Sequence, residues 1–124
     1  MIERIVQIIL VVVGIINILP IMVFFDVSKT AKLYGIPIEG ESLIILMRHR
    51  GVLLSLVGIA LITAAFKSEY FILAVSFALI SKITFIFLTF TSSNYTSELN
   101  RVALIDVGAV ILLLITLGLH FYKK

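Results

Sequence analysis

The sequence predicts an all-α protein, an integral membrane antiparallel four-helix bundle, and three observations carry that expectation. Hydrophobic residues make up 61% of the 124 positions and charged residues only 14%, with a mean hydropathy of +1.23, far from the balance of a soluble domain. The apolar residues gather into four stretches, Ile5 to Phe25, Leu43 to Phe66, Tyr70 to Phe90 and Leu99 to Phe121. A helix rising ~1.5 Å per residue needs about 20 residues to cross the hydrocarbon core, and every stretch meets that length. Continuous runs of this kind are helical, unlike the short alternating strands of an outer-membrane barrel.

The first stretch exceeds the apolar core of a signal peptide and has no small-x-small cleavage site before Asp26, so it is read as a span. In the connector from residue 26 to residue 42, Ser28 to Tyr34 has the makings of a short interfacial helix, with Ser28 as N-cap and Gly35 as stop. Pro37, Glu39 and Glu41 follow, and Ser42 is placed to cap the second span. Lys67, Ser68 and Glu69 form the turn into the third span, and Thr96 or Ser97 is placed to cap the fourth. Asn94-Tyr95-Thr96 matches a glycosylation sequon, a weak signal outside a secretory context. The chain reads as one domain.

With four spans both termini share a side with the Lys67 turn. That side carries Arg4, Lys67, Lys123 and Lys124, against Lys29 and Lys32 opposite, with Arg101 where the fourth span begins. The positive-inside rule therefore predicts cytoplasmic termini. The net charge of +3 does not point to nucleic acid, because four of the basic residues fall inside apolar stretches instead of forming an exposed patch. Membrane lipid and small anions are the expected partners.

Polar residues within the spans concentrate at one level. Asn17 lies late in the first span, Arg48, His49 and Arg50 early in the second, Lys82 late in the third, and Arg101 and Asp106 early in the fourth. Because consecutive spans alternate direction, these positions converge about 10 Å below one surface. An ionisable group there costs roughly 2.5–3.5 kcal/mol unless it pairs or meets water, so function is the default reading of such residues. Snorkelling of the long side chains and one buried ion pair are the structural alternative.

Asp106 is the one acid deep in a span, and Arg101, five residues earlier, falls on a different side of the helix. Its expected partners are Arg48, Arg50 or Lys82, a set too cationic for one carboxylate to neutralise. Arg48, His49 and Arg50 fan over roughly 200° of helix surface. Of these, Arg48 shares a face with Gly51, Ser55 and Gly58, a small-residue stripe suited to close helix approach. His120 reads as an interface residue beside Tyr122, Lys123 and Lys124. No metal or other cofactor is expected: cysteine is absent, which also excludes disulfide exchange, and the two histidines stand at opposite ends. No serine or threonine has a triad context.

Tyr34-Gly35-Ile36, Leu46-Met47-Arg48-His49-Arg50-Gly51 and Asn100-Arg101-Val102-Ala103-Leu104-Ile105-Asp106 are similar to the pattern of small bacterial DoxX-like membrane proteins. That resemblance implies an antiparallel four-helix fold in a bacterial cytoplasmic (inner) membrane, within a functionally mixed group that includes quinone- and redox-linked members. Small multidrug exporters fit less well, because the first span lacks their glutamate. The spaced Arg-x-His-x-Asn of glutathione-using transferases and the Gly-Thr-Phe of fluoride channels are also missing.

Taken together, the expected function is binding of an anionic lipid headgroup or a small acidic or quinone-like ligand in a cationic pocket. Asn17, Arg48, Arg50, Lys82, Arg101 and Asp106 are its candidate ligand-binding residues. One alternative is a membrane enzyme acting on a lipid-soluble substrate, with His49 and Asp106 as acid-base groups. Another is an accessory subunit docking a membrane complex, or a homodimer.

Overall fold

The computed structural model describes residues 2–26, 40–92 and 97–123. Among them it is helical almost throughout: α1 is Ile2–Ile18, α2 Met22–Phe25, α3 Glu41–Phe66, α4 Phe71–Thr91 and α5 Ser97–Lys123. Four segments are long and apolar enough to cross a membrane, Ile2–Ile21, Glu41–Phe66, Ser68–Thr91 and Ser97–Tyr122, which marks a multi-pass membrane protein by length and composition. Outward-facing Ile8, Ile15, Leu56, Phe77, Ile80 and Phe87 are all more than half exposed, an apolar exterior suited to lipid and costly in water.

The element boundaries follow the apolar stretches closely, with one difference inside the first. Pro20 has no N–H to give the carbonyl four residues back, so the helix ends at Ile18, tightens into a 3-10 turn at Leu19–Ile21 and resumes as α2. Ser42 is not the cap of the second span. Gly40 occupies that position with φ 88°, a left-handed conformation that glycine alone adopts without strain, and Ser42 lies inside α3. The proposed interfacial helix from Ser28 to Tyr34, Pro37 with Glu39, the sequon and Thr96 lie outside the described residues, and Ser97 is the first residue of α5.

α1 packs on α3 and α5, and α4 on the same two, so α1 and α4 stand across the assembly from each other. Leu10, Val13, Leu61, Val75 and Leu113 are fully buried in the shared core. The closest approach joins α1 to α3 along the small-residue stripe: Gly51, Ser55 and Gly58 are buried, and a Cβ at Gly58 would stand 2.5 Å from the Gly14 carbonyl oxygen and 2.7 Å from Ile18 Cγ1. At Gly51 a Cβ would meet the Pro20 carbonyl oxygen at 2.6 Å. Ser55 Oγ, in the middle of the stripe, donates to its own helix at Val52 O (2.8 Å) and leaves no polar group unpaired.

Adding a methyl at this crossing forces the two backbones apart. Gly58→Ala lowers stability by about 1–3 kcal/mol, read as a fall in thermal unfolding midpoint in detergent by circular dichroism. Gly108→Ala on α5, where a Cβ meets nothing within 4 Å, is neutral or stabilises by up to ~1 kcal/mol.

Candidate functional site

The site is built around one ammonium group. Lys82, on α4, is 4% exposed and donates to Asn17 Oδ1 of α1 at 2.6 Å and to Asp106 Oδ1 of α5 at 3.1 Å. Asn17, equally buried, turns its amide the other way and donates from Nδ2 to the Leu54 carbonyl of α3 at 2.6 Å. The chain of donors thus touches all four long helices. A lysine is long enough to reach across the interior to α1.

Beside this network lies a cavity of about 130 Å³ walled by Asn17, Pro20, Arg50, Leu54, Lys82, Phe85 and Asp106, among others. Arg50 stands with its guanidinium 4.9 Å from the centre of the Phe85 ring, within cation–π range. The wall carries two cations and one carboxylate. Of the three Lys82 protons two are engaged, and Asp106 Oδ2 accepts nothing from the described residues. The volume equals a few water molecules and approaches that of cavities that admit a single six-membered ring.

Asn17, Arg50, Lys82 and Asp106, four of the six expected binding residues, are therefore brought to one cavity, and Lys82 is the one of the three candidate cations that pairs with Asp106. The remaining two expected residues, Arg48 and Arg101, do not line the cavity. Arg48 turns along the small-residue stripe to the end of α2, where Nε donates to Phe24 O at 3.0 Å and the guanidinium sits 4.6 Å from the Phe24 ring centre. Arg101 is exposed, as helix phase relative to Asp106 requires. His49 is exposed as well and lines no part of the cavity, so the pairing of His49 with Asp106 as acid and base has no geometric support. His120, expected at an interface beside Tyr122, Lys123 and Lys124, is half-buried and stacks on the buried ring of Phe71 with centroids 4.2 Å apart.

Several lining residues escaped the sequence reading, among them Pro20, Leu54, Phe85 and Val102. Each lies one turn from a residue it singled out: Pro20 three after Asn17, Leu54 four after Arg50, Phe85 three after Lys82 and Val102 four before Asp106. The i, i+3 and i, i+4 spacing of a helix face was the available signal. Comparison with protein-family models, curated proteins and solved structures found no match for the chain.

Removing one member of the ion pair strands the other in the interior. Lys82→Met destabilises by about 3–5 kcal/mol, and Lys82→Met combined with Asp106→Leu recovers most of that loss, measured by thermal unfolding of the detergent-solubilised protein.

Proposed function

We propose that the chain is an antiparallel four-helix bundle in a bacterial cytoplasmic membrane, of the DoxX-like kind, with cytoplasmic termini. On this reading it binds the charged end of a small acidic or quinone-like ligand, or an anionic lipid headgroup, beside Lys82. One observation carries the reading: a buried ammonium has a cavity against it and a proton left to donate after Asn17 and Asp106 are served. Arg50 adds a second cationic wall and the Phe85 ring a flat apolar one. Asp106 Oδ2 accepts a hydroxyl proton from the ligand. A charge-assisted hydrogen bond in such a place contributes about 1.5–3 kcal/mol.

The cavity size narrows the class. About 130 Å³ takes a carboxylate, a phosphate-sized group or one ring, so the remainder of a lipophilic ligand extends outward between the helices toward lipid. Conduction by a single copy is not supported. Toward the termini the described interior is apolar from Leu10 and Val13 through Leu61 and Val75 to Leu113, and the buried hydroxyl there, Thr116, donates to Leu113 O of its own helix at 2.6 Å.

Mass spectrometry of lipids and small acids retained through purification tests the reading. Arg50→Ala and Ser81→Leu, which fills the cavity while keeping its charges, each lower the retained ligand about tenfold or more. A retained profile unchanged in both variants, with the fold intact by circular dichroism, sinks the proposal.

A further inference from the structure

At the opposite end of the helices, the start of α1, the end of α3, the Ser68–Tyr70 turn and the end of α5 surround a second and larger cavity of about 560 Å³. Its walls are of two kinds. Val6, Ala64, Ala65 and Leu119 give an apolar flank, and Phe71, 2% exposed, gives an aromatic base. Arg4, Gln7, Ser68 and His120 give the polar flank.

The polar groups are unspent. Among the described residues the side chains of Arg4, Gln7, Ser68 and His120 make no hydrogen bond or ion pair. The His120 ring lies almost parallel to Phe71, 19° between planes, and edge-on to Phe121 at 5.5 Å. Aromatic contact thus orients the ring, while its two nitrogens keep their hydrogen-bonding capacity. Glu3, which also lines the cavity, is already engaged in an interaction of its own.

A guanidinium, an imidazole, an amide and a hydroxyl facing one space offer several donors of fixed and adjustable geometry. That set suits a phosphoryl group, whose oxygens accept more bonds than a carboxylate and pair bidentately with arginine. The adjoining apolar flank suits a hydrocarbon chain, and the volume falls within the range of small-molecule sites. We propose that this cavity is a second binding site, separate from the Lys82 cavity, for the phosphoryl group of an amphiphile. Arg4 and His120 hold the phosphoryl oxygens, and the chains leave past Val6 and Ala65. The lipid source of that group rests on the membrane-spanning reading; the phosphoryl chemistry does not.

Three probes in nonionic detergent separate the sources: dioctanoyl phosphatidylglycerol, glycerol phosphate and dioctanoylglycerol, with binding followed by native mass spectrometry and by the shift in thermal unfolding midpoint. The phospholipid binds, the phosphate-free diacylglycerol does not, and glycerol phosphate binding as tightly as the phospholipid assigns the site to soluble phosphate esters. Arg4→Gln weakens phospholipid binding about tenfold. His120→Phe, which keeps the stack on Phe71 and so the fold, weakens it several-fold. Diacylglycerol binding as well as phospholipid, no binding of either phosphate probe, or unchanged phospholipid binding in both variants overturns the proposal.

Discussion

The arrangement of the four long helices is constrained by the need to satisfy the Lys82 ammonium in a water-poor interior. A lone buried charge is expensive, and this one is held by an amide oxygen of α1 at 2.6 Å and a carboxylate of α5 at 3.1 Å. Asn17 can serve Lys82 only because its own amide group is anchored at Leu54 O of α3. Turning any one helix by a residue swings its side chain by ~100° and shifts it ~1.5 Å, which breaks a link in this chain. The polar network adds to the fold the specificity that apolar packing alone, tolerant of small rotations, does not supply.

The network also needs α1 and α3 very close together, and the backbone provides for it. Gly14 and Gly58 face each other with no room for a side chain, and Gly51 lies under the Pro20 carbonyl. Pro20 itself ends α1 one turn after Asn17, so the polar residue sits where the helix changes character and a cavity opens beside it. Close packing, helix break and cavity thus follow from residues within about two turns on each helix of the pair, Gly14 to Pro20 in the first span and Gly51 to Gly58 in α3.

Between the two cavities the described interior is largely apolar. Leu10 and Val13 on α1, Leu61 on α3, Val75 and Ala78 on α4 and Leu113 on α5 lie in sequence between the residues that line one end and those that line the other. The two polar ends are therefore chemically distinct: a small recess built on a buried ion pair, and a wider one at the helix ends lined by Arg4, Gln7, Ser68 and His120.

The sequence by itself determined the helices and the level of the polar residues, because both follow from strictly local rules: run length, and a fixed rise per residue. It also separated Arg101 from Asp106 and directed Arg48 along the Gly51, Ser55 and Gly58 stripe, since helical phase is a property of one chain segment. Its resolution ended where partners had to be chosen across helices. Lys82 over Arg48 or Arg50 as partner of Asp106, the outward turn of His49, the Phe85 ring beside Arg50 and the seating of His120 on Phe71 were decided by tertiary structure alone. Each depends on the rotation of one helix against another, and no periodicity within a single span encodes that angle.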